Sequence, residues 1–165
     1  MLLTIFLTIV FCLAITVIML SAVAFIQDKK LFSTAPKEAQ EALIPRDKEL
    51  FYGARLIGWA LMTLSIAIIL GVAAISVWDG LRNNYTFWEF FLRFELILSI
   101  YKIYDMVCFD YFLLLKFKFF QFYFPEVEKP FEGRKYGFNI KSQLLKLFVV
   151  FPVASAAAAW ICTVV

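Results

Sequence analysis

The sequence predicts an all-α integral membrane protein: a four-transmembrane-helix bundle with short amphipathic or interfacial segments. Three observations lead there. Of 165 residues, 63% are hydrophobic, against roughly half in a soluble domain. The excess is gathered into four apolar blocks of about 20 residues or more, the length that crosses about 30 Å of hydrocarbon. Charged residues make up only 18%, and outside the third block they fall between the blocks. Residues 1–165 read as a single membrane domain, with no stretch left for a separate soluble one.

The first block covers about 2–26 and is uncharged. Ala22, Val23 and Ala24 offer the small residues of a signal-peptide cleavage site. No basic stretch precedes the block, however, and it is longer than a signal-peptide core, so it reads as a retained helix. The loop 27–55 follows. Pro36 suits the first turn of a short helix there, Glu38 and Glu41 suit its N-terminal end, and Pro45 ends it.

The second block covers about 56–78, between Arg55 and Asp79. Ala67, Gly71 and Ala74 are spaced to form a thin face, and small residues let helices approach closely in lipid.

The third block is aromatic and apolar, yet it carries Glu89, Arg93, Glu95, Lys102, Asp105 and Asp110. Thr86 and Glu89 match the capping-box pattern, so a helix starts there. Pro125 limits its far end. A helix over that whole stretch would be about 57 Å long, more than a bilayer needs. The spanning part is therefore expected at about 94–115, with interfacial flanks at 86–93 and 116–124. Aromatic residues in both flanks fit the belts at membrane surfaces.

The loop 116–143 holds Pro125, Pro130, Gly133, Gly137 and Asn139, so it should turn. Phe131, Tyr136 and Phe138 are expected to dock on headgroups. The fourth block covers about 144–165. Lys146 stands at its entrance, Pro152 is placed to kink it, and Ala154 and Ala158 suit close packing.

Loops one and three carry nearly all the inter-block lysines and arginines, whereas 79–86 has only Arg82. Four spans put both basic loops on one side. The positive-inside rule makes that side the cytoplasm and both termini external, in a plasma or inner membrane.

An ionisable residue inside a membrane helix needs a reason. On a helical projection Glu89 and Arg93 pair at the outer interface. Glu95, Ser99, Lys102, Asp105 and Asp110 share one sector about 140° wide at about 100° per residue. Lys102 and Asp105 are placed to neutralise each other. For Asp110 the expected partners are Arg55 and Lys146. The adopted reading is a polar seam in a protein that works by helix–helix interaction, as an accessory subunit or a homo-oligomeric scaffold. Two alternatives stay open: a small proton- or ion-coupled transporter or channel using these carboxylates, and an intramembrane enzyme. The last is the weakest, since the projection sets Asp105 and Asp110 on different faces.

The other classes find little support. The chain has no histidine, hence no imidazole metal site, histidine-bound haem or histidine relay. Cys12, Cys108 and Cys162 lie in three different blocks and read as small apolar residues. No nucleotide loop, zincin motif or serine elbow appears. A net charge of +3 without a dense basic stripe gives no case for nucleic acid. No enzyme activity, metal or cofactor is expected. The expected partners are the lipid bilayer and either a second copy or another membrane protein.

Overall fold

The computed structural model describes residues 1–32, 37–46, 48–133 and 140–164, and within these it is all-α. Helix α1 is Leu2–Ile26, its last six residues widened into a π-helix. Helix α2 is Lys37–Ala42 and α3 is Ala54–Arg82. Helix α4, Phe87–Tyr104, runs on as a π-helix over Asp105–Lys116. Two short helices follow, α5 at Phe119–Tyr123 and α6 at Glu128–Phe131, and α7 is Lys141–Val164. Three helices, α1, α3 and α7, are long and apolar enough to cross a membrane. The segment 87–116 is not among them, because its charges dilute it.

The chain forms two compact units. The first contains Met1–Ala14, Ile66–Tyr104 and Ile140–Val165; the second contains Ile15–Ser65 and Asp105–Asn139.

In the first unit α4 packs along α7. Leu7, Val72 and Ile97 form a small core, flanked by Leu3, Val10 and Phe11. The turn joining α3 to α4 is tight. Asn84 takes a left-handed backbone with φ of 51°, a conformation that asparagine tolerates better than most residues. Thr86 then caps α4. Its backbone N–H and hydroxyl both donate to Glu89 Oε2, at 2.8 Å each, the half of a capping box in which the glutamate reaches back to the cap residue. These bonds, the backbone one foremost, hold the Glu89 carboxyl below its ordinary range.

In the second unit the segments before and after the long helices fold together. Val23, Phe32, Ala39, Leu43, Phe124, Val127 and Phe131 make its core. The Phe32 ring meets Phe120 and Phe124 edge-on, at 5.0 and 5.1 Å. Arg46 clamps the two segments: it donates to Glu126 Oε2 at 2.8 Å and to the Tyr123 carbonyl at 3.3 Å. Phe131 is thus a core residue and not a headgroup anchor, because the aromatic cluster gives it a dry partner surface. Tyr136 and Phe138, like Pro36, lie outside the described residues.

Three local expectations are corrected. The helix expected through 124 breaks at Lys118, whose φ is 49°, and α5 starts after it. At Pro152, where a kink was expected, the irregularity seen is a π-turn over Lys146–Val150 just before it. Proline removes an N–H and crowds the carbonyl four residues back, and a wider turn there accommodates both. The third correction concerns small residues. Ala67 and Ala74 are exposed, and a methyl group at Gly71 would touch nothing within 4 Å. The buried face of α3 runs instead through Gly58, Ser65, Val72, Ser76 and Gly80.

A test separates the two glycines. At Gly58 a Cβ would lie 2.7 Å from Ile26 Cγ1 and 2.8 Å from Phe25 Cβ. Gly58→Val is expected to destabilise by about 1–3 kcal/mol through overpacking. Gly71→Ala should be neutral or stabilise by up to about 1 kcal/mol, since alanine is the better helix former. Denaturant unfolding of both variants in detergent gives the comparison.

Candidate functional site

The charges of the third block disperse into different settings. Arg93, on the second turn of α4, is 3% exposed. Its Nη1 lies 2.8 Å from Asp79 Oδ2 and donates to the Ser76 carbonyl at 3.0 Å. Its Nη2 donates to the Tyr85 hydroxyl at 2.7 Å, and the guanidinium stands 4.5 Å from the Tyr85 ring centre. Nε is buried and has no partner among the described residues. The expected Glu89–Arg93 pair is therefore replaced. Glu89 faces the cap, and Arg93 reaches back across the turn to α3, where a carboxylate and a carbonyl together neutralise it.

Glu95 lies half-buried two residues further along α4, about half a turn round the helix. Its Oε1 accepts from Ser99 Oγ at 2.7 Å, and its Oε2 accepts from Ser155 Oγ on α7 at 3.0 Å. Ser155 is 1% exposed, and Ala159, one turn on, is wholly buried. Those two are the buried positions of this part of α7, and Ser155 is the one bonded to α4. Ala154 is exposed and Ala158 half-buried, because both border a pocket.

That pocket has a volume of about 430 Å³ and lies within the first unit. Phe11 of α1, Val72 and Ser76 of α3, Ile97 of α4, and Ala158 and Ile161 of α7 are among its lining residues. The Ser76 hydroxyl donates to the Val72 carbonyl at 2.7 Å and the Ser155 hydroxyl to Glu95, so the polar groups on the wall are turned to the protein.

Lys102 is buried near the end of α4. Asp105 opens the π-helical stretch and Asp110 lies within it, both half-buried. A π-helix bonds residue i to i+5, so these two aspartates stand about one turn apart. The 100° projection that separated them does not hold beyond Tyr104. Arg55 donates to the Arg46 carbonyl, and Lys146 is exposed. All three cysteines are free. Among the described residues no group of three or more acidic or cysteine side chains is placed to hold a metal.

Sequence reasoning missed Asp79, Ser76, Tyr85 and Ser155. Asp79 passed as a helix boundary, although a lone acid one turn inside an apolar helix end is itself a signal. Ser155 was hidden in an alanine run.

Comparison with family models, with curated proteins and with solved structures finds no match.

The latch at Arg93 makes a quantitative prediction. Arg93→Met strands the Asp79 carboxylate, and the cost is expected near 2–4 kcal/mol. This falls below the fully buried range because the Asp79 side chain keeps 21% of its exposure. Arg93→Met with Asp79→Leu removes both charges and should recover most of the loss. A double-mutant cycle measured by unfolding in detergent would show additive losses if the two groups did not interact.

Proposed function

We propose that this chain is a four-pass protein of a plasma or inner membrane that acts by helix–helix association, as an accessory subunit or a homo-oligomeric scaffold. The observation that carries the reading is the uncovered thin face of α3. Only 17% of its apolar window is buried within the chain, and 11% of that of α7. Ala67, Gly71 and Ala74 stand outside the internal packing line, where a close approach by another helix meets no bulk. Arg93 supports the same reading, since its charge is consumed by an internal latch and drives no chemistry.

The fourth crossing has its own support. Loops one and three fold together in the second unit through Arg46, Glu126 and the aromatic core. Residues 54 and 116 both lie within that unit, which the chain leaves after Ser65 and re-enters at Asp105. A chain that leaves it by α3 comes back along 87–116, so if α3 crosses a bilayer the charged segment crosses as well. Shared basic loops then favour the cytoplasm for that side and the outside for both termini.

Two measurements test this. With Cys12, Cys108 and Cys162 replaced, an impermeant thiol reagent applied to intact cells should label Asn83→Cys and spare Lys37→Cys; the reverse pattern would invert the topology. Separately, native mass measurement in mild detergent should find the chain in an oligomer or a stable hetero-complex, and Gly71→Leu should dissociate it while leaving the fold intact. A wild-type chain that is strictly monomeric and alone would sink the association reading and favour the transport alternative.

A further inference from the structure

We propose that the two headgroup layers of a bilayer meet α3 at Trp59 and Trp78, so that lipid hydrocarbon covers the exposed side of the helix between them. This rests on the membrane reading above and adds where the lipid surfaces lie. All 4 tryptophans of the chain are exposed. Indole has an apolar body and a polar N–H, so it settles where hydrocarbon meets water, at the headgroup level of a bilayer. Trp59 and Trp78 stand 19 residues apart on one helix. At about 1.5 Å per residue that is about 28 Å, close to the roughly 30 Å of bilayer hydrocarbon. Between them Leu64, Ile66, Leu70 and Ile75 are exposed, the side chains that an apolar solvent accepts and water does not.

Charge marks the same two levels. No charged residue lies between Trp59 and Trp78. Arg55 comes one turn before the first and Arg82 one turn after the second, each about 6 Å further out along the axis. That step leads from hydrocarbon into the headgroup region, which brings a bilayer to about 40–45 Å. Both ends thus offer a cation at the level of lipid phosphates. The Arg82 guanidinium stands 5.3 Å from the Trp78 ring centre and is exposed, so a phosphate can reach it. Asp79, the acid at this level of α3, is paired with the buried Arg93. Arg55 gives one donor to the Arg46 carbonyl, and a guanidinium has five. Trp88 repeats the outer level. Arg93 meets Ser76, and Phe90 lies against Gly80, so α4 runs back along α3 and Trp88 stands beside the last turn of α3.

The test reads the depth of single tryptophans in the full chain, reconstituted into phosphatidylcholine vesicles. The acyl chains are brominated either near the glycerol or near the methyl end, and bromine quenches indole on contact. Each variant keeps one tryptophan and carries phenylalanine at the other positions. Trp59 and Trp78 are expected to lose more fluorescence to the shallow bromines than to the deep ones. Leu70→Trp, in a chain whose native tryptophans are all phenylalanine, gives the contrast. Leu70 is 65% exposed and shares a face with Trp59 at about 100° per residue, yet lies roughly 16 Å further along the axis, near the midplane. There the order should reverse, with the deep bromines quenching more. Should that variant lose wild-type helicity, Ile68→Trp replaces it. Deep bromines that quench Trp59 or Trp78 as strongly as shallow ones would overturn the placement and leave the membrane reading standing, and so would the same order at Leu70→Trp as at Trp59. No quenching of any tryptophan by either lipid would overturn both.

Discussion

A guanidinium at the edge of an apolar helix has to be neutralised by the chain itself, and the demand made by Arg93 organises everything around the turn between α3 and α4. Satisfying it needs a carboxylate and a carbonyl from α3 together with a phenol from the turn. That combination is available only if α4 doubles back closely on α3. The close return in turn requires Gly80, since a Cβ there would run into the ring of the fully buried Phe90. Asn84 supplies the left-handed step, and the Thr86–Glu89 cap starts the new helix in register. One charge therefore accounts for a glycine, an asparagine and a capping box that would otherwise look unrelated.

The second unit shows the same economy at a polar surface. Arg46 serves three acceptors or faces at once: the Glu126 carboxylate, the Tyr123 carbonyl and the Phe124 ring. It thereby ties a segment after α1 to one that follows the π-helical stretch. The Lys118–Glu128 pair nearby is exposed on both sides and lies in a different class; the lysine is shifted up and the glutamate down by each other, but open solvent makes such pairs weak. Phe32, Phe120 and Phe124 hold the unit together, while Arg46 decides which segments meet.

How much of this was legible beforehand depends on range. Apolar length is a local property, so the helices at 2–26, 54–82 and 141–164 follow from the sequence to within a turn at each end. The cap at Thr86 is equally local. Partner choice is not. Glu89 and Arg93 have the spacing of a helical pair, yet each finds a better partner: Glu89 the orphan N–H at the helix start, Arg93 an acid 14 positions back. Spacing likewise did not say which small-residue face packs inside the chain. Ala67, Gly71 and Ala74 satisfy a spacing rule that Gly58, Ser65, Val72, Ser76 and Gly80 also meet in looser form, and only the second line is buried. Spacing shows which residues can share a face and leaves open which face the neighbours choose. The π-helical stretch was invisible for a different reason: no residue in 105–116 announces a wider turn, and a projection at constant pitch accumulates error through it.

These two small-residue lines have a joint consequence for how the chain meets its surroundings. The inner line lets α3 lie against its own chain, where Gly58 touches Ile26 and Gly80 touches Phe90. The outer line brings no internal contact and, in water, would be of little use, because alanine and glycine bury little area. In hydrocarbon the balance changes. Lipid tails are as apolar as any side chain, so association depends on close backbone approach and not on area removed from water. A thin face left outside the fold is therefore neutral in one solvent and adhesive in the other. Glu95 is met from within the first unit, where Ser99 of its own helix and Ser155 of α7 both donate to it. The thin face of α3 that the fold leaves outside its own packing is the feature that a membrane setting makes consequential.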